Sequence, residues 1–376
     1  ISPELGRDDD DVETLPNIGE GFLKAKLHVF RFDQLSIMHN AMLRYIGRRL
    51  LLIPVVLIGL SILTFVISRV VPGDPVKLAA GTQARPEQIE RLRADFGLDR
   101  PLVEQYLMYM GGLLQGNWGY SISNRREVGP DLVRYFMATL ELTIVSTLLG
   151  MAIGIPLAII SARWRDRLPD HLARFFSIGT ASVPVFWIAI ILQIILAQNL
   201  RLLPVSGRFD ARAEFPEIIT GMLLFDTLLR GNFEGFGIAL RYIIIPAMCQ
   251  SLLVISVVTR QLRGDMLDMM SKDFVRVARA NGIPERMIWL RYLMKNALIA
   301  TVSMLGFIIG FQLGGAPLIE YVLDWPGIGQ YALKAALLLD FQPIMGSTLF
   351  IGCVVVGVNL VTDLLYRSID PRIGFR

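Results

Sequence analysis

Cysteine and histidine are scarce in this 376-residue sequence, with two of the first and three of the second. Cys249 and Cys353 stand far apart inside apolar runs, without the spacing of a zinc or redox motif, so both are expected to be core thiols. His28, His39 and His171 fall in no HExxH pattern, and no metal site is expected. No GxxxxGK[ST] occurs, so the chain has no loop of its own to cradle nucleotide phosphates. The sequence also lacks a paired Ser/His or a pair of membrane aspartates, which argues against an intramembrane enzyme. It lacks a repeated filter sequence, which argues against a channel. Charge is sparse too, at 19% of residues with a net of +4. The basic residues fall in short loops between apolar stretches, a pattern that belongs to the cytoplasmic face of a membrane protein and not to a nucleic-acid binder.

What is abundant is apolar surface. Hydrophobic residues make up 53% of the chain and the mean hydropathy is +0.51, too apolar for an ordinary soluble domain. The expected fold is all-α and polytopic, with about six transmembrane helices, since about 20 apolar residues cross the roughly 30 Å hydrocarbon core. The spans are read at residues 50–67, 137–160, 175–197, 238–258, 298–313 and 344–365. Pro184 is expected to kink the third. Residues 1–41 carry an acidic run and no apolar period. They are read as a disordered extension, or one of artificial origin, ahead of a membrane domain over 42–376. VVPGDP, at 70–75, breaks the first helix. A polar segment at about 72–134 then contains an amphipathic helix in PEQIERLRADFG and a second helix at 105–114. It either caps the bundle by packing or covers the mouth of a pore. Arg44, Arg48 and Arg49 before the first span, Arg163, Arg165, Arg167 and Arg174 after the second, and Arg367, Arg372 and Arg376 at the end put both termini inside.

Between the fourth and fifth spans lies a polar, basic and helical stretch, FVRVARANGIPERMIWLRYLMKNA, within a loop of about 260–297. Asp273 is expected to cap a short helix carrying Phe274, Arg276, Ala278, Arg279 and Ala280, which Asn281-Gly282 ends, because glycine accepts the left-handed conformation of a helix stop. Pro284 is expected to start a second helix, with Glu285 at its positive end and Arg291 and Lys295 towards its negative end. Small residues at Ala278 and Ala280 would let a partner approach the backbone, and Arg276 and Arg279, one turn apart, would pair with its acids. On spacing alone the stretch is either such a handle or a solvated basic loop.

Four polar residues in or beside the spans are candidates for lining a translocation path: Glu141, Gln193, Gln250 and Gln312. A carboxylate at bilayer depth costs about 2.5–3.5 kcal/mol on insertion scales, so Glu141 is a functional candidate, here for a cargo amino terminus. It also lies near the outer end of its span, where headgroups or water are in reach. Each glutamine serves equally as a helix-to-helix hydrogen bond, worth about 0.6 kcal/mol. GMAIG, at 150–154, fits close helix packing.

FVRVARANG followed by LRYLMKNALI resembles the cytoplasmic coupling loop, or EAA motif, of permease subunits of binding-protein-dependent ABC importers. Arg276 and Val277 depart from the family-wide Glu-Ala, and arginine at the first position is frequent in the peptide-importer branch. Ala300 stands where many relatives have proline. MLRYIGRRLL, VVPGDPV, FGLDRPLVEQYLMYMGGLLQGNWGYS, TLELTI, SVPVFW, LLPVSGRF, PLIEYVLDWPGIGQ and IDPRI resemble the first-type permease of dipeptide and oligopeptide importers, over about 42–376. The resemblance implies a multi-pass protein of a bacterial or archaeal inner membrane that imports short peptides, with no catalytic residue and no cofactor of its own. Oligosaccharide, glutathione and metal-chelate cargoes occur among similar permeases. It also implies a second homologous permease as a heterodimer partner, two ATP-binding subunits that hold ATP and Mg, and an extracytoplasmic substrate-binding protein. Phe274, Arg276, Ala278, Arg279, Ala280 and Gly282 then become residues that couple to the ATPase.

Overall fold

The computed structural model describes residue 47 and residues 49–69, 85–95 and 99–369. The extension at 1–41, the break at 70–75 and the tail at 370–376 lie outside these residues. The described residues from 55 onward form one compact unit. The first described helix is α1 (Arg49–Arg69).

The order is then α2 (Pro86–Asp95), α3 (Leu102–Leu114), a two-stranded antiparallel ribbon of β1 (Tyr120–Ser121) and β2 (Arg126–Glu127), and α4 (Val128–Arg163). Next come α5 (Leu168–Ser182) and α6 (Val185–Leu192), the latter running into a π-helical segment (Gln193–Asn199). They are followed by α7 (Leu223–Leu229), α8 (Phe233–Met270) and α9 (Asp273–Ala280). α10 (Glu285–Leu313), α11 (Pro317–Val322), α12 (Ile328–Leu337) and α13 (Phe341–Ile369) complete the described chain. Among the described residues α1, α4, α8, α10 and α13 are each long and apolar enough to cross a membrane. The fold is therefore all-α and polytopic.

The third expected span differs from a simple kink. α5 and α6 meet at an angle of 100° across Val183-Pro184, because proline cannot donate to the helix ladder and pushes the residue before it into extended backbone. Even so, the pair climbs α8 in order. Asp170 bonds Arg263 at 2.8 Å, Ser177 Oγ donates to the Ser256 carbonyl at 2.9 Å, and Ala189 and Ala197 pack on Cys249 and Ile245. That path covers roughly 27 Å of helix at 1.5 Å per residue, close to the depth of the hydrocarbon core, so the pair reads as one broken span and the sixth crossing.

The centre of the bundle is the parallel contact of α4 with α8, whose partners rise together from Ala138 and Ile243 to Ala162 and Met266. A Cβ on Gly150 would lie 2.5 Å from the Val254 Cβ, and one on Gly154 would lie 3.2 Å from that of Val258, so the small residues of GMAIG set how closely the helices approach. Val254 and Val258 continue into Leu305 and Ile308 of α10, and Gly306 of α10 lies directly against Thr362 of α13. Cys249 is buried, but Cys353 is exposed on α13, contrary to the expectation of a core thiol, because its helix face turns away from the bundle.

Two ends of the bundle are distinct. At one, α9 and the start of α10 pack on α4 and α8. At the other, α11 and α12 form a cap in which Trp325, 1% exposed, donates its indole N–H to the Ala138 carbonyl at 3.1 Å. Glu320 in this cap is fully buried. It accepts from the Thr139 hydroxyl and the Gln330 N–H, both at 2.9 Å, and Gly327 and Gly329 leave the space that its carboxylate occupies.

Candidate functional site

α9 begins at Asp273 itself. Lys272 stands at the cap position without a side-chain bond to the helix, which corrects the expectation that Asp273 caps it. Asp273 instead pairs with Arg276 at 3.7 Å across an exposed turn, a contact worth little. The far end of α9 is built as expected and more tightly. Gly282 has φ +72°, its N–H donates to the Arg279 carbonyl at 3.0 Å, and the Ile283 N–H donates to the Ala278 carbonyl at 3.1 Å. These two bonds are the Schellman pair that satisfies carbonyls left open by the helix stop. Ile283 then packs onto the cluster that holds Ala278. Pro284 flanks α10 in extended backbone, and Glu285 is its first residue, one place later than expected. Arg279 donates to Glu285 at 2.7 Å across the turn, and that bond holds the guanidinium above its ordinary value.

The residues at three-spacing fall on two faces. Val275 and Ala278 are buried against Ala158 and Ala162 of α4, Leu262 and Met266 of α8, and Ile288 and Trp289 of α10. Ala278 therefore lends its small size to the chain's own core, and not to a visiting partner as its spacing suggested. Phe274 (37% exposed) and Val277 (57% exposed) lie on the opposite face, beside exposed Arg276, Arg279 and Ala280. The significance of Val277 was legible only as an apolar residue three after Phe274 in a polar helix. A second element enters here, one whose arginines the sequence marked only as cytoplasmic charge. The turn after α4 places Arg163, Trp164, Arg165 and Arg167 around an open cavity of about 530 Å³ with Leu267, Met270 and Ser271 at the end of α8. Arg163 is close enough to Glu285 to favour its charge. The outcome is an apolar edge with basic flanks on a rigid base. The base is tied further by buried Asp170, which bonds Arg263 twice at 2.8 Å and the Ser161 hydroxyl at 2.5 Å.

The four path candidates separate by their bonds. Both oxygens of Glu141 are engaged. Arg208 donates to it at 2.5 and 3.2 Å, and the Leu224 N–H donates at 2.5 Å. Arg208 also reaches the Gly221 carbonyl at 2.6 Å and lies 5.6 Å over the Trp325 ring. Glu141 thus anchors the loop at the cap end, and the expectation that it receives a cargo amino terminus gives way to a desolvated ion pair. Gln193 donates to the Val205 carbonyl at 2.8 Å and holds the same loop. Gln312 accepts from Thr147 at 3.2 Å and donates to the Gln250 carbonyl at 3.1 Å, joining α4, α8 and α10. Gln250 differs: it is 5% exposed and its side-chain oxygen has no partner. It lines a cavity of about 290 Å³ with Gln312, Cys249 and Pro184.

Residues 154–375 match the binding-protein-dependent transport system inner membrane component family, and residues 42–143 match the N-terminal membrane component of such systems. The chain is 42% identical over 319 residues to a probable D,D-dipeptide transport system permease protein of Escherichia coli (strain K12), covering 85% of this chain and 94% of that one. It is 35% identical over 334 residues to a dipeptide transport system permease protein of Alkalihalophilus pseudofirmus, covering 89% and 100%. It is 32% identical over 336 residues to a glutathione transport system permease protein of Escherichia coli (strain K12), again covering 89% and 100%.

Proposed function

Because the chain belongs to the binding-protein-dependent transport inner membrane component family, we propose that it carries short peptides inward across the membrane as one subunit of an ATP-driven importer. It is a multi-pass inner-membrane permease subunit and not an enzyme. The peptide assignment rests on the dipeptide permeases at 35–42% identity, with the glutathione permease lower at 32%. In this reading two ATP-binding subunits hold ATP and Mg, a second permease completes the path, and an extracytoplasmic binding protein delivers cargo at the cap end. Both termini and α9 face the cytoplasm.

The observation that carries the coupling role is the exposed Phe274–Val277 edge on a helix whose other face, Val275 and Ala278, is locked into α4, α8 and α10. A partner that seats this edge in a groove moves those three helices with it, since a packed core transmits displacement and does not absorb it. Arg276 and Arg279 flank the edge for acidic groups of the groove. Gly282 sets the angle between α9 and α10.

The test is ATP hydrolysis and peptide uptake by the assembled transporter. Val277→Asp is expected to leave the amount of membrane-inserted chain unchanged while lowering co-purification of the ATPase and uptake at least tenfold, because a charge enters an apolar contact. Gly282→Pro is expected to abolish uptake with insertion retained. Full uptake by both variants would remove the coupling role from α9.

A further inference from the structure

We propose that the cavity beside Gln250 is a holding site for a peptide bond inside the membrane, with apolar walls that take a neighbouring apolar side chain. The inference rests on the peptide reading given above and names the place where such a cargo is recognised by this chain.

The cavity, about 290 Å³, lies where two helices are interrupted at the same depth of the bundle. At one wall, Pro184 ends the bend from α5 and starts α6, supplying no side-chain cap to the first N–H groups, those of Val185 and Phe186. At the other, Gly315 turns the chain from α10 to α11 with φ +88°, where a Cβ would meet the Gly329 backbone at 3.0 Å. Between them stands Gln250 on α8. Gln312 takes the Gln250 backbone carbonyl and binds Thr147 with its other end, so the polar groups of Gln312 are spent on the wall. The Gln250 amide is left as a buried polar group with no bond to its side-chain oxygen.

An amide side chain offers one acceptor and two donors, the complement of a peptide unit's N–H and C=O. The unpaired Gln250 oxygen lies just behind the cavity wall, so a turn of its side chain presents an acceptor to a visiting peptide N–H. The remaining walls, Leu253, Phe311, Leu318 and Ile319, are apolar and suit an aliphatic side chain. The volume falls just below the about 300–1,000 Å³ typical of ligand pockets, which fits a dipeptide and not a long peptide held whole. Phe311 and Leu318 are exposed at the rim, so the cavity opens sideways, where a second permease would complete the path.

The experiment uses the assembled transporter in lipid nanodiscs with its binding protein and a dipeptide of alanine and diazirine-bearing photoleucine. After irradiation, adducts on this chain are mapped by mass spectrometry, and uptake of Ala-Leu is measured in parallel in proteoliposomes. Adducts are expected on Leu253, Phe311 or Leu318, displaced by excess Ala-Leu. Gln250→Met is expected to reduce them at least fivefold and to raise KM for uptake by a similar factor. Should Gln250→Met fail to assemble, Leu318→Trp, a change at the exposed rim, is expected to cut the adducts by filling the cavity. Uptake of Ala-Leu with adducts confined to other regions, or adducts and KM unchanged in the variants, overturns the holding site while leaving the importer reading intact. Absence of dipeptide uptake by the wild-type complex overturns the peptide reading, and the holding site with it.

Discussion

Glu141, Asp226 and Glu320 lie at the cap end of the bundle, and each is kept in place by a different chemistry. Glu141 has the Arg208 guanidinium. Asp226 accepts instead from the N–H groups of Ile219, Thr220 and Gly221 and from the Thr220 hydroxyl at 2.7 Å. Burial alone would push the Asp226 carboxyl up, and the four donors outweigh it, holding the carboxyl below its ordinary value. Glu320 has fewer donors around a fully enclosed carboxylate, and there burial wins and pushes it up. The two therefore oppose each other in sign. The Asp226 contribution is complete above the unfolded value of about 3.9 and is lost as pH falls through its lower folded value, whereas Glu320 favours the folded state most where it is protonated. Hydrogen exchange of the 218–224 loop is expected to quicken as pH is lowered from 5 towards 2, after correction for intrinsic exchange, and Asp226→Asn is expected to make it fast at pH 7 as well. A loop equally protected in Asp226→Asn would show that the carboxylate does not hold it.

At the scale of elements, the glycines of the long helices sort by what faces them. Gly150 on α4 lies against Val254, while Gly237 on α8 has nothing within 4 Å of where a Cβ would stand. Gly150→Ala is expected to force the helix pair apart and destabilise the protein by about 1–3 kcal/mol. Gly237→Ala, with no clash and a gain in helix propensity, is expected to stabilise by up to about 1 kcal/mol. Thermal unfolding in detergent, followed by the fluorescence of the tryptophans, measures both, and equal shifts in Tm would show that the α4–α8 contact is less tight than its geometry. The GMAIG pattern pointed to this packing. The bend at Pro184 was legible as a kink and not as a turn of 100°, because proline removes a bond but neighbouring helices decide where the freed chain goes. The π-helical segments at Gln193–Asn199 and Ile288–Leu293 left no mark in the sequence. Each adds a residue to a turn, and only packing rewards that.

For the whole molecule, the cap end and the α9 end have opposite characters: buried acids and short helices at one, an exposed apolar edge with arginines at the other. The proposed orientation predicts which of them meets the cytoplasm. In a Cys249→Ser, Cys353→Ser background, a cysteine at Lys334 in the cap is expected to react with a membrane-impermeant maleimide added to spheroplasts. A cysteine at Lys272, just before α9, is expected to react only in inverted vesicles. The reverse pattern would put α9 on the wrong side for an ATPase partner and withdraw its coupling role.

The class of fold, the positions of the spans and the helix–turn–helix after the fourth span are legible in the chain, since apolar runs of membrane length, prolines and a glycine stop act locally and can be read without knowing their neighbours. The family followed from motifs along the chain. What each polar residue in the spans does follows from its partners in three dimensions. Glu141, Gln193, Gln250 and Gln312 look alike as isolated polar groups among apolar ones. Their bonds make an ion-paired anchor of the first and loop and helix ties of Gln193 and Gln312, and they leave the side-chain oxygen of Gln250 unpaired. The same holds on α9, where Ala278 and Val277 are adjacent in the chain but face the core and solvent respectively. Pairing and burial depend on residues far away in sequence, so no local pattern can assign them.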